Sequence, residues 1–100
     1  MNRENNTDTA IEVQTASREI TIVNELGLHA RPASEFVRCA TRFRSEIFLV
    51  KDGQRLSAAS ILDVLMADLC QGQSATIEAH GSDAELAVTA LAELVHSLTD

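Results

Sequence analysis

The sequence predicts a small α+β domain: one largely antiparallel sheet with amphipathic helices packed on one of its faces. Three observations carry this. Short segments alternate apolar and polar residues, as half-buried strands do. Longer segments repeat apolar residues at helical spacing. Between two strand-like runs, Asp52-Gly53 is a strong two-residue hairpin signal. In order the elements read β-α-β-β-α-β-α, and the 100 residues suit a single domain.

Residues 1–17 are polar, with Ile11 and Val13 isolated and no sustained period, which predicts a disordered tail and a folded domain over 18–100. A short extra strand at 11–14 is the alternative for part of that stretch. The first strand is predicted over 18–24, where Ile20 and Ile22 alternate with Glu19 and Thr21. A loop follows, with Gly27 free to take an unusual torsion. The first helix is predicted over 30–43: Pro32 fits its first turn, and Ala33, Phe36, Val37, Ala40 and Phe43 form one stripe. Ile47, Phe48, Leu49 and Val50 make Glu46–Lys51 a strand, and Gln54–Ser57 is its hairpin partner. A second helix is predicted over 61–70, with Ser60 as N-cap, Asp63 in capping-box position and Gly72 as C-cap. Its apolar residues Ile61, Leu62, Val64, Leu65, Met66 and Leu69 exceed one stripe, so some must face solvent or a partner. Ser74–His80 alternates as a fourth strand. Ser82 and Glu85 form a capping-box pattern ahead of a last helix whose stripe runs from Ala84 to Leu98. The alternating first and fourth strands permit the second face of the sheet to meet water.

A folded unit of roughly 80 residues holds a core but no large internal chamber, so function is expected on its surface. The chain has no Trp or Tyr, which leaves few residues to stack on bases or cage a cation. Its formal charge of −7 disfavours a general nucleic-acid binder. Arg31, Arg38, Arg42 and Arg44 nevertheless cluster between His29 and Glu46, a basic face suited to an acidic patch on a partner protein. Cys39 and Cys70 show neither CxxC spacing nor a disulfide framework and read as reduced, partly buried thiols. No apolar run approaches membrane-spanning length and no signal-peptide pattern opens the sequence, so the cytoplasm is the expected compartment.

His29 stands where the loop becomes the first helix, with Arg31 two residues on. A helix N-terminus carries unpaired N–H groups and partial positive charge, worth about 0.3–1 kcal/mol to a nearby anion and up to roughly 2 in good geometry. That field keeps the imidazole neutral and nucleophilic, and it favours a phosphoryl group once one is attached, with the Arg31 guanidinium as a further donor. Pro32 fixes where the donors point. A stabilisation this modest suits a carrier that must release its group. From spacing alone a lone histidine near a helix start is ordinarily a plain polar residue. No Cys or His lies at ligand spacing from it, so neither a zinc site nor another metal is expected. No Ser–Asp pairing suggests a hydrolase triad.

The stretch Leu26-Gly27-Leu28-His29-Ala30-Arg31-Pro32-Ala33 resembles the active-site signature of the HPr family, the histidine-containing phosphocarriers of the bacterial phosphoenolpyruvate-dependent phosphotransferase system (PTS). The likeness runs from about residue 18 to 98, includes the element order, and adds a second motif, Ser57-Ala58-Ala59-Ser60-Ile61-Leu62. It implies an open-faced β-sandwich with a four-stranded antiparallel sheet and three helices on one face. It further implies that His29 accepts a phosphoryl group on Nδ1 from Enzyme I and passes it to EIIA domains, for sugar uptake or its regulation. Arg31 would assist the phosphorylated state and Pro32 would set the helix start. Partners would dock on Ser34, Arg38, Ile61, Leu62, Leu65 and Met66, although core packing is an equal reading for Leu65 and Leu69. Such a protein is a phosphoryl carrier and no enzyme in the ordinary sense, needs no cofactor, binds neither nucleic acid nor membrane, and at this size is expected to be monomeric.

Ser60 carries a separate implication. In part of the family the matching serine is phosphorylated by HPr kinase/phosphorylase, and the modified form binds a transcriptional regulator. This sequence departs from that pattern with Ala59 before the serine and Asp63 after it, where an added dianion would be repelled. The plain reading of Ser60 is a helix N-cap. The alternative to a sugar-uptake carrier is therefore a regulatory binding module of a nitrogen-type or HPr kinase-linked relay, signalling through the phosphorylation state of His29, Ser60 or both. A domain keeping the fold without the chemistry is disfavoured by the intact His29, Arg31 and Pro32. His80 and His96 read as solvated.

Overall fold

The computed structural model describes residues 14–100. Its elements follow the predicted order: β1 (Thr15–Thr21), α1 (Ala30–Ala40), β2 (Glu46–Lys51), β3 (Gln54–Ser57), α2 (Ile61–Met66), β4 (Ser74–His80) and α3 (Ala84–His96). The four strands form one antiparallel sheet in the order β1-β4-β2-β3. The three helices cover one face, giving the expected open-faced sandwich. Among the described residues no helix is long and apolar enough to cross a membrane.

Strand alternation decides which face is covered. Ala16, Ile20, Ile47, Leu49, Leu56, Ala75, Ile77 and Ala79 point inward and are buried. They meet Phe36 and Ala40 of α1, Val64 of α2, and Ala87, Val88, Leu91 and Val95 of α3. Each large side chain fully buried here, Phe36 and Ile20 among them, contributes about 1.5–3 kcal/mol. The Asp52-Gly53 turn has φ of 52° and 79°, two left-handed residues in succession. That is the primed turn whose twist matches its strands, so the β2–β3 hairpin is locally encoded.

Several boundaries differ from the sequence expectation, each for an identifiable reason. β1 begins at Thr15, inside the stretch expected as tail, because Thr15, Ala16 and Ser17 pair with His80, Ala79 and Glu78 and Ala16 is buried. The rest of the predicted tail, and the short strand weighed at 11–14 up to residue 13, lie outside the described residues. The strand ends at Thr21, yet Ile22 remains tied by its N–H to Gln73 O (2.9 Å) and by its carbonyl to Gly72 N–H (2.8 Å). Gly72 therefore serves the turn into β4 and caps no helix.

α1 stops at Ala40, and Phe43 packs on the core from the turn beyond it. α2 is shorter than predicted: Asp68 turns left-handed at φ 49°. The Lys51 ammonium takes up the carbonyls of Ala67 (2.7 Å) and Asp68 (3.0 Å), which ends the helix with its acceptors satisfied. α3 starts after Asp83 with no side-chain cap, so the Ser82/Glu85 box does not form. The Asp83 carboxylate is engaged elsewhere, accepting from the N–H groups of Arg44 and Ser45 (2.9 Å each) and from the Ser45 hydroxyl.

Candidate functional site

The loop between β1 and α1 is built to hold one histidine at a helix start. Gly27 takes φ 72°, and a Cβ there would lie 2.3 Å from Leu69 O. Only glycine permits that close approach. The approach lets Leu28 N–H donate to the same Leu69 carbonyl (2.9 Å) while the Leu28 side chain is buried. With Leu28 pegged inward, His29 turns outward in extended backbone, φ −81° and ψ −169°, as the N-cap of α1. Its carbonyl accepts from Ala33 N–H (2.8 Å).

The His29 side chain caps nothing and is 42% exposed. Pro32 has no N–H and Ala33 has used its own, so the first-turn amides of Ala30 and Arg31 stay available to an incoming oxygen. Arg31 is exposed and Pro32 buried, as the helix start requires. His29, Arg31 and Pro32 line a depression of about 350 Å³ with Leu26, Leu94, Leu98 and Asp100. Arg31, Arg38, Arg42 and Arg44 are all exposed, and none forms an ion pair among the described residues.

Two residues of this site were missed from sequence. Asn24 is buried, and its amide donates to Gly27 O (2.8 Å) and to Asp100 Oδ1 (2.9 Å). Its Oδ1 is buried without a partner, so the loop uses only the donors of the amide. Asp100 Oδ2 accepts from Leu26 N–H (2.7 Å), and its Oδ1 lies 3.8 Å from His29 Nε2. The Asn24 amide foremost, then the Leu26 N–H and His29, hold the Asp100 carboxyl below its ordinary pKa. An asparagine ahead of a glycine is a readable turn signal. For Asp100 no local signal exists, since its partners lie at the other end of the chain.

α2 lies against α1, and the segment after it touches the His29 loop at Leu69. Ser60 is the N-cap, accepting from Asp63 N–H (3.2 Å), while the Asp63 carboxylate reaches back to Ser57 N–H (3.0 Å). The surplus apolar residues divide clearly. Leu69 is buried, whereas Ile61, Leu62, Leu65 and Met66 are exposed, Leu62 by 70%. Arg38 is exposed and Ser34 half-buried on the neighbouring helix. Cys39 is half-buried, and that burial pushes its thiol pKa up against the opposing pull of Arg42, whereas Cys70 is exposed. His96 is exposed, but His80 is tied into the open face by Thr15 and Glu78.

Comparison with known proteins agrees with this layout. The family model described as PTS HPr component phosphorylation site matches residues 16–97. The phosphocarrier protein NPr of Shewanella violacea is 40% identical over 83 residues, 83% of this chain and 91% of its own. The phosphocarrier protein HPr of Borreliella burgdorferi is 40% identical over 74% of this chain and 86% of its own. The crystal structure of an HPr from Bacillus anthracis superposes with a TM-score of 0.78 at 40% identity, covering 81% of this chain and 96% of that one. An HPr from Thermoanaerobacter tengcongensis gives a TM-score of 0.79 at 39% identity, over 82% and 92%. By sequence and by fold alike, the chain belongs to the HPr family of phosphotransferase-system phosphocarriers.

Proposed function

We propose that His29 is the phosphoryl acceptor and donor of a relay, loaded by phospho-Enzyme I and unloaded by EIIA domains. The observation that carries this is an imidazole at a helix start with both ring nitrogens unbonded among the described residues, beside free first-turn amides and an unpaired Arg31. A phosphoryl oxygen can accept from those amides and from the guanidinium, which together supply charge-assisted bonds without a deep cage. Pro32 supports the role by fixing the helix start. Ser34, Arg38, Ile61, Leu62, Leu65 and Met66 form the docking face for both partners, an exposed apolar patch rimmed by cations. Such a carrier works in the cytoplasm as a monomer.

Incubation with Enzyme I and phosphoenolpyruvate tests the assignment. One phosphoryl group should add to the intact protein, be lost in acid, and be absent in His29→Ala. A wild-type protein that stays unlabelled overturns it. Transfer to a panel of EIIA acceptors then tells uptake from regulation.

A second reading, a regulatory module switched at Ser60, is favoured by the position of that residue. Ser60 is half-exposed at the helix start beside Ile61 and Leu62, so an added phosphate would sit within the docking face. Pull-down of a transcriptional regulator only by protein phosphorylated with HPr kinase/phosphorylase supports it. Equal capture of both forms removes it.

A further inference from the structure

We infer that Asp100 is a positioning residue for His29, keeping the imidazole proton on Nε2 and so leaving Nδ1 as the nucleophilic nitrogen. The inference rests on the carrier reading above and concerns how its ring is prepared. The Asp100 carboxylate is fixed from two directions, by Leu26 N–H (2.7 Å) and by the buried Asn24 amide (2.9 Å). So anchored, it lies 3.8 Å from Nε2 with its side chain only 21% exposed. No side chain hydrogen-bonds the ring among the described residues, and the Asp100 carboxylate is the one acidic group beside it.

An ionised carboxylate only accepts, so the ring nitrogen facing it gains by carrying the hydrogen. In neutral imidazole the other nitrogen then holds the lone pair. When Nδ1 attacks phosphorus, the N–P bond forms, the bond from phosphorus to the donor breaks, and its electron pair stays on the donor. The phosphorylated ring still holds its Nε2 proton and is cationic, with Asp100 beside that charge. On transfer the acceptor attacks phosphorus, the N–P pair returns to Nδ1, and the ring leaves neutral. No proton moves at Nε2 in either direction. A ring bare at Nε2 would have to leave as imidazolate, a far poorer leaving group.

Long-range proton–nitrogen spectra of the full chain with 15N-histidine, taken above the histidine titration, read the tautomer directly. Wild type should show the Nε2–H form. Asp100→Asn keeps an oxygen for Leu26 N–H but removes the charge. It should lower the Nε2–H to Nδ1–H ratio by about two- to fivefold, the scale of a partly exposed ion pair. Transfer from phospho-His29 to EIIA should slow by a similar factor. Asp100→Glu, which restores the charge, should recover much of the ratio even if the asparagine disturbs the loop. An unchanged ratio in Asp100→Asn, or no recovery in Asp100→Glu, overturns the inference. A tautomer shift in a protein that accepts no phosphoryl group supports the ring assignment and overturns the carrier reading instead.

Discussion

His29 and His80 belong to different layers of the molecule, and their surroundings part them more than their exposure does. Their side chains are 42% and 32% exposed, a difference too small to assign roles. His80 has both ring nitrogens engaged. Thr15 Oγ1 meets Nδ1 at 3.3 Å, and Glu78 Oε1 meets Nε2 at 3.3 Å. Arg55 Nη2 also approaches Nε2 (3.4 Å), but a protonated Nε2 that donates to Glu78 cannot accept from Arg55. Arg55 is instead held by Glu78 Oε1 at 2.9 Å and stacks 3.8 Å over the Phe48 ring. His29 has a carboxylate near one nitrogen and, among the described residues, nothing bonded to either. Under the role proposed for it, His29 is positioned through its backbone while its ring is left unspent.

The largest expected contrast is in labelling. His29→Ala should take up no phosphoryl group from Enzyme I, whereas His80→Ala should be labelled like wild type by intact mass. Loss of labelling in both would erase the distinction. Next, Gly27→Ala should lower stability by about 3 kcal/mol, combining a left-handed alanine with overlap on Leu69 O. Gly53→Ala on the hairpin, where nothing lies within 4 Å of the added Cβ, should cost about 1 kcal/mol. Urea unfolding of the pair separates close approach from torsion, and equal losses would show that the Leu69 contact adds nothing.

A smaller effect is expected at Asp83, just past His80. The Ser45 hydroxyl, then the Arg44 N–H, hold its carboxyl below the ordinary range. Asp83→Asn should cost about 1–2 kcal/mol by weakening bonds to buried Ser45. Because the folded pKa is depressed, this stability is present above about pH 4 and fades as pH falls through the lower folded value. The variant should therefore lose less stability than wild type on acidification, as followed by urea midpoints between neutral and acid pH. Smallest is Glu78→Gln. The hydrogen bond from Arg55, then that from His80, keep this carboxyl low, but the pairs are largely exposed. The cost should stay below about 1 kcal/mol, with phosphoryl labelling untouched. A larger loss would make the open-face network a structural keystone.

The elements were legible because their signals are local: the stripe through Phe36, the Asp52-Gly53 turn, and the alternation from Ser74 to His80 each lie within a dozen residues. His29, Arg31 and Pro32 were legible as neighbours because chain adjacency and helix geometry already place them together, whereas the role proposed for them came from the resemblance of Leu26–Ala33 to the HPr signature. Residues used at a distance were not. Lys51 ends α2 and Asp83 anchors the turn before β2, contacts that no spacing rule reports. Ser82 looked like a cap because its pattern is right, yet Asp83 takes that position and points its carboxylate away. Thr15 to Ser17 read as tail since a short polar run acquires strand character only from its partner. Asp100 escaped for the same reason: its meaning depends on Asn24 and Leu26, brought to it by the closed fold.

The sheet order β1-β4-β2-β3 also sets a timetable. During synthesis the β2–β3 hairpin can form as soon as it emerges, but β1 has to wait for β4, the last strand made, to slot between it and β2. Loop closure over that span is slow compared with making a hairpin. The His29 loop waits as well, because its anchors, Leu69 and Asp100, come from the later part of the chain. A nascent or misassembled chain thus lacks the organised helix start, and a relay protein reading it would meet the finished site only on a finished fold.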